Sequence, residues 1–70
     1  MISMERMLYF KCKLLPIIYK FDLLEKRGER IELIQMNFST RNWFSRLEYI
    51  TYNPNYIKIT EEEYNMHLEL

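Results

Sequence analysis

The sequence has very few of the residues from which metal sites and phosphate-binding loops are built. It contains one cysteine, one histidine and one glycine among 70 residues. A zinc site needs three or four ligands at workable spacing, whereas Cys12 and His67 stand alone near opposite ends of the chain. Phosphate-binding loops need several glycines, and Gly28 is the only one present. We therefore expect no metal and no cofactor.

The residues needed for nucleophilic catalysis do not form a motif either. A nucleophile needs a base within reach and a further group that orients this base. Cys12 with His67, or a serine with His67 and Asp22, are the available sets, and no known motif surrounds them. The carboxylates of Glu61 and Glu63 are explained by the favourable electrostatics of a helix N-terminus. We therefore predict no catalytic residues and a protein that is not an enzyme.

Alanine and valine are absent, and the apolar volume comes from larger side chains. This bias is typical of a GC-poor coding sequence and indicates a low-GC bacterium or its phage as the source. Apolar residues still make up 49% of the chain, which excludes intrinsic disorder because disordered chains combine low hydrophobicity with high net charge. A length of 70 residues corresponds to a single small domain, residues 1–70.

Long apolar runs are absent as well. The longest stretch without a charged side chain is residues 49–57, far below the roughly 18 residues that a membrane span needs. Charged residues also interrupt the N-terminal part, which leaves no apolar core for a signal peptide. Secreted chains of this size carry several disulfide-bonded cysteines, and this chain has one cysteine. We therefore predict a cytoplasmic protein without membrane contact.

The ten basic and ten acidic side chains cancel, so no strong overall field attracts nucleic acid. Residues 1–30 are nevertheless mildly basic, with seven Lys or Arg against four Asp or Glu. Tyrosines on an exposed sheet face can stack on bases while lysines hold phosphates. This gives a nucleic-acid-binding alternative, whose candidate residues are Tyr9, Lys11, Lys13 and Lys20, with Tyr19 as a further stacking ring.

Alternating apolar residues predict strands in the first half of the chain. Residues 7–14 fit a strand, although a helix over 4–15 fits the spacing too. A hairpin is predicted between residues 17–24 and 30–38, with Gly28 supplying a positive φ in the charged turn between them. A helix over 16–27 is the alternative, because Pro16 and Gly28 would bracket it.

The second half predicts two helices around a short strand. Ser39 or Thr40 would cap a helix over 40–52, whose apolar stripe consists of Trp43, Phe44, Leu47 and Ile50. Asn53 would take a left-handed conformation and Pro54 would end this helix. A hairpin of 48–52 against 56–60 is the alternative, and 56–59 is a strand in both cases.

A capping box begins the last helix. Thr60 would accept a bond from the Glu63 amide, and the Glu63 side chain would bond back. The helix would run to about Leu68, with Tyr64 and Leu68 facing inward. The resulting fold class is α+β: a small antiparallel sheet of three to four strands with two short helices on one face, in the order ββ(β)αβα.

A protein-binding role fits the composition best, because Tyr, Trp, Phe, Met and Arg are enriched in interface cores. Tyrosines crowd residues 47–56, and Tyr49 lies off the apolar stripe of its helix, so we expect it to be exposed. The candidate protein-binding residues are Tyr49, Tyr52, Asn53, Asn55, Tyr56, Arg41 and Arg46.

The leading hypothesis is a non-enzymatic protein-interaction module, a phage or mobile-element inhibitor that binds a host enzyme sterically or allosterically. A small nucleic-acid-binding regulator is the first alternative, and an accessory subunit of a larger complex is the second. An exposed edge strand in so small a sheet also allows a homodimer.

Overall fold

The computed structural model describes residues 5–69, which form an antiparallel sheet with helices on both of its faces. Five strands are present in the order β4-β3-β2-β1-β5. They are β1 Met7–Cys12, β2 Ile17–Asp22, β3 Arg27–Glu32, β4 Asn37–Phe38 and β5 Tyr56–Ile59. A 3₁₀ turn, Phe44–Arg46, continues into helix α1, Leu47–Tyr52, and β5 is followed by helix α2, Glu61–Glu69.

The α+β class is confirmed, while the number and order of the strands differ from the prediction. The sheet has five strands instead of three or four, and the element order is ββββαβα. The extra strand is β4, a two-residue edge strand that is too short to give an alternating pattern of its own. Neither helix within residues 5–69 is long and apolar enough to cross a membrane.

The first two hairpins follow the alternation of apolar residues. Residues 7–12 form a strand, so the helix over 4–15 is wrong within the described part; Met4 lies outside the described residues. A hairpin of β2 and β3 is present and excludes the helix over 16–27, but its turn comes earlier than expected. The predicted second strand, 30–38, was wrong as a single strand, because β3 ends at Glu32 and residues 37–38 form β4. The left-handed residue in this turn is Lys26, with φ 55°, and Gly28 has no positive φ. Two backbone N–H groups in the turn donate to the Asp22 carboxylate, which shapes it.

The two helices pack on opposite faces of the sheet, not on one face as predicted. Ile50 of α1 packs into a cluster with Phe10, Ile17, Tyr19 and Phe21. Tyr64 of α2 packs into a second cluster with Tyr9, Ile18, Ile31 and Ile59. The reason lies in β2, where three consecutive apolar residues, at positions 17–19, point alternately to both faces. A sheet with two apolar faces needs a covering layer on each.

Residues 39–43 run along the edge of β3 and do not belong to a helix. The Ser39 N–H donates to the Arg30 carbonyl over 3.0 Å, and the Trp43 N–H donates to the Gly28 carbonyl over 2.9 Å. The Asn42 Oδ1 accepts the Gly28 N–H over 2.8 Å. Because these bonds tie the segment to β3 and keep it out of a helix, α1 begins only at Leu47, and no side chain of the described residues caps it.

The junctions around β5 were predicted in part. Asn53 ends α1 in an extended conformation, with φ −92° and ψ 123°, so the left-handed assignment was wrong. The alternative hairpin over 48–60 was also wrong, because residues 47–52 are helical and β5 pairs with β1. The Thr60 Oγ1 accepts the Glu63 N–H over 3.1 Å, as predicted, although no return bond from the Glu63 side chain occurs within residues 5–69. Tyr64 is buried and Leu68 packs beside it.

Candidate functional site

Helix α1 presents one side to the sheet and a tyrosine-rich side to solvent. Ile50 is buried, and Leu47 packs partly against the same cluster. Tyr49 and Tyr52 are three residues apart, so they lie next to each other on the opposite side of the helix. Tyr49 is 57% exposed and Tyr52 is 81% exposed, which confirms the expectation for Tyr49. A short helix with a fixed inner side therefore displays two adjacent tyrosines.

These tyrosines line an open groove, which we call the tyrosine groove. Its volume is about 640 Å³, and its lining consists of Ser45, Glu48, Tyr49, Tyr52, Asn53 and Pro54. The turn after α1 forms one wall. The Asn53 N–H donates to the Ile50 carbonyl, and the Asn53 Oδ1 accepts the Asn55 N–H over 2.9 Å. This side-chain bond closes an Asx turn that positions Pro54 beside the helix.

An aromatic chain connects the groove to the core. The Tyr49 ring meets the Tyr56 ring edge to face at 6.2 Å, and Tyr56 meets Tyr19 in the same way at 5.7 Å. Burial raises the pKa of Tyr56, and the neighbouring Tyr19 hydroxyl adds to the shift. Tyr56 therefore stays neutral and supports Tyr49 from below as part of the packing, while its own ring is half-buried.

The remaining predicted protein-binding residues lie around the groove or away from it. Asn55 belongs to the Asx turn at its wall. Arg46 is exposed at the start of α1 and is not part of the lining. Arg41 stacks on the Trp43 ring, with its Cζ 4.8 Å from the ring centroid, and Arg30 approaches the same ring to 5.1 Å. The structure thus brings Tyr49, Tyr52 and Asn53 together and places the two arginines outside.

The two tyrosines of the nucleic-acid-binding alternative are buried and cannot stack on bases. Tyr9 is only 9% exposed and packs against Tyr64 at 5.0 Å, so the expectation that it faces solvent is wrong; Tyr19 is buried as well. Lys20 lies directly opposite Glu29 in the sheet, which offsets its charge. The other two lysines of this set are a half-buried Lys11 and an exposed Lys13. An exposed aromatic ring on the described strands is that of Phe38 in β4, which β3 separates from the strand of Lys20 and two strands separate from β1.

Cys12 and His67, the candidates for a catalytic pair, lie on opposite sides of the sheet. Cys12 packs on the α1 side of the sheet, whereas His67 belongs to α2 on the other side. The Arg6 guanidinium bonds to the Asp22 carboxylate at 3.1 Å, and this bond, with the Glu25 N–H, lowers the pKa of Asp22. Within residues 5–69 no group of three or more His, Cys, Asp or Glu side chains is placed to hold a metal ion.

Three lining residues were missed by the sequence interpretation: Ser45, Glu48 and Pro54. The signal that could have found the first two is helical spacing, because positions 45, 48, 49 and 52 repeat at three and four residues and fall on one side of a helix. Pro54 was predicted only to end the helix, and that role does not indicate that its ring also lines the groove.

The fold and the groove define a small α+β sheet protein with one helical layer on each face and an exposed aromatic surface on the shorter helix. Comparison of the chain with protein-family models, with curated proteins and with solved structures finds no match.

Proposed function

We propose that this protein is a non-enzymatic protein-interaction module whose contact surface is the tyrosine groove. The observation that carries the proposal is the pair Tyr49 and Tyr52, exposed side by side on a helix whose inner side is anchored in the core. Tyrosines lose little conformational freedom when they bind, and they are enriched among the residues that supply most of the energy of an interface.

The shape and charge of the groove support a macromolecular partner. The groove is an open depression along a helix, whereas small-molecule sites are concave and enclose most of their ligand. Glu48 is its only charged lining residue, and charged residues are depleted at the centre of protein interfaces. Because Tyr56 and the Asx turn hold the surface in place, little ordering is needed on binding.

We further propose that the partner is a host enzyme and that the protein acts as its inhibitor in a phage or mobile element. This part rests on the small size and the GC-poor composition of the chain. Inhibition by mimicking DNA would need a dense acidic face, and the net charge of zero argues against it. The inhibitor would act sterically, by covering a site of the enzyme, or allosterically.

The test is a pull-down from lysates of low-GC bacteria with the full chain, followed by affinity measurements on the recovered partner. Tyr52→Ala should weaken binding by about 30-fold or more, as expected for a central aromatic contact. Leu24→Ala is the matched control, because Leu24 is 72% exposed and lies in the turn after β2. It should change the affinity by less than about two-fold.

Circular dichroism of both variants verifies that the fold is unchanged. If no partner is recovered specifically, the proposed interaction role is wrong. If Leu24→Ala weakens binding as much as Tyr52→Ala does, the tyrosine groove is not the contact surface. Activity assays of the recovered enzyme then separate inhibition from binding without consequence.

A further inference from the structure

The outer strand β5 has backbone groups that point away from the sheet. In the antiparallel pairing of β1 with β5, the Lys13 N–H donates to the Asn55 carbonyl over 2.7 Å. Residues that bond to the neighbouring strand alternate along an antiparallel ladder, so Ile57 and Ile59 bond to β1. The backbone of Lys58 therefore faces outward.

Four backbone groups lie along this outer edge of the sheet: the Tyr56 and Lys58 carbonyls and the Lys58 and Thr60 N–H groups. Within residues 5–69 none of them has a hydrogen-bond partner. An edge with unpaired donors and acceptors is a template for another strand. The opposite edge of the sheet offers fewer backbone groups for pairing with another strand, because β4 has only two residues.

We propose that β5 pairs with β5 of a second copy of this chain, antiparallel and about a two-fold axis at Lys58. In this register the Lys58 N–H donates to the carbonyl of Lys58 of the partner subunit, and the reverse bond forms by symmetry. The Thr60 N–H donates to the carbonyl of Tyr56 of the partner subunit. All four edge groups of each copy are then bonded, and the two sheets become continuous.

Other registers leave some of these groups unpaired. If the strands shifted in one direction, the Tyr56 N–H would have to donate to the partner strand. It already donates to the Asn53 carbonyl over 3.1 Å. If the strands shifted in the other direction, the Thr60 carbonyl would have to accept a bond from the partner strand. It already accepts the Tyr64 N–H over 3.0 Å. The bonds inside the chain therefore favour the register centred on Lys58.

The side chains fit the same register. Positions 57 and 59 become non-hydrogen-bonded partners, at which side chains approach most closely, so Ile57 lies opposite Ile59 of the partner subunit. Ile57 is 37% exposed in the single chain and gains an apolar neighbour. Lys58 faces Lys58 of the partner subunit, and like charges in this position oppose pairing. The ion pair of Lys58 with Glu5, at 2.8 Å, reduces the repulsion.

The helices cover the two faces of the sheet, with α2 reaching Ile59 of β5, and Ile57, Lys58 and Thr60 along the edge remain exposed. The buried residue of α1, Ile50, packs against Phe10 and Phe21, which belong to β1 and β2. The buried residue of α2, Tyr64, packs against Tyr9 and Ile18 on the other face. A second copy can therefore approach β5 in the plane of the sheet.

The test is sedimentation equilibrium of the full chain from about 5 to about 500 µM, with reductant present to exclude a disulfide through Cys12. A monomer–dimer equilibrium with a dissociation constant on the order of 100 µM is expected for so small a contact. Ile57→Lys should raise the dissociation constant by about ten-fold or more. The matched control is Ile34→Lys, because Ile34 is 78% exposed and lies near the opposite edge of the sheet; it should have less than about a two-fold effect.

A second variant tests the register with a change in the opposite direction. Lys58→Thr removes the like-charge pair at the two-fold axis and should lower the dissociation constant by about three-fold, since cross-strand threonines pair favourably. A monomer at all concentrations, equal effects of the two isoleucine variants, or weaker association of Lys58→Thr would each overturn the proposal. Because Lys58→Thr is expected to strengthen association, loss of folding cannot imitate the supporting result.

Discussion

Gly28 is the only glycine of the chain, and it is needed for close packing. It lies within β3, with the backbone of residues 43 and 44 directly above it. A Cβ atom at this position would lie 2.6 Å from the Phe44 nitrogen and 2.7 Å from the Trp43 carbonyl carbon. Two other residues, Lys26 and Met36, have positive φ values of 55° and 52°, a conformation that glycine adopts without strain.

Gly28→Ala should therefore destabilise the protein, and Lys26→Gly should not. The added methyl group meets backbone atoms that cannot move aside, so the free energy of unfolding should fall by about 1–3 kcal/mol. Lys26→Gly relieves left-handed strain and should raise this free energy by roughly 0.5 kcal/mol. Urea unfolding followed by Trp43 fluorescence measures both. Equal stability of Gly28→Ala and the wild type would show that the 43–44 segment is not packed against β3.

Helix α2 is held to the sheet by one buried aromatic residue. Burial raises the pKa of the Tyr64 hydroxyl far above its ordinary value, and the nearby Glu29 and Tyr9 add to this shift. The folded protein thus keeps Tyr64 neutral at a pH at which the unfolded chain already loses its tyrosine protons, near pH 10. The contribution of Tyr64 to stability is complete below that pH and is lost as the pH rises further.

The corresponding prediction concerns the alkaline side of the stability profile. Between about pH 10 and pH 12 the wild type should lose up to roughly 1.4 kcal/mol per pH unit through Tyr64, whose pKa burial raises. Tyr64→Phe should reduce this slope, because phenylalanine has no proton to lose. Tyr52→Phe is the matched control: Tyr52 is exposed, so this variant loses one tyrosine hydroxyl group without altering the buried layer. An identical slope in Tyr64→Phe and the wild type would contradict a buried neutral Tyr64.

The elements that could be predicted from the sequence are those that depend on local patterns. The alternation in residues 7–12 and the Thr60 cap of α2 involve neighbours in the chain, and both are confirmed. The non-helical course of residues 39–43 could not be predicted, because it depends on Asn42 bonding to Gly28, fourteen residues away. The exposure of Tyr49 followed from the helical stripe, whereas the wall formed by Pro54 depends on how the turn folds back.

The molecule as a whole is layered, and its most protected strand is β2. It is the central strand of the sheet and contributes four buried residues: Ile17, Ile18, Tyr19 and Phe21. The outer elements β4 and α1 contribute fewer buried residues. The edge strand β4 is exposed throughout, and α1 has a single buried residue.

This layering predicts the order of amide hydrogen exchange. Amides of β2 should exchange last, with the free energy of global unfolding, because they open only when the sheet comes apart. Amides of β4 and α1 should exchange through local opening at least about ten-fold faster. Exchange followed by heteronuclear NMR gives each rate. If β4 were as slow as β2, the edge would be part of the cooperative core, and the layered description would be wrong.

The position of β5 next to β1 has a consequence for synthesis of the chain. The strands β1 to β4 follow one another and pair in sequence, but one side of β1 remains open until residues 56–59 have been made. While a ribosome is still extending the chain, that side of β1 is an open edge that can pair with β5 of another copy whose own sheet has not yet closed. Two such copies exchange strands when the β5 of each completes the sheet of the other.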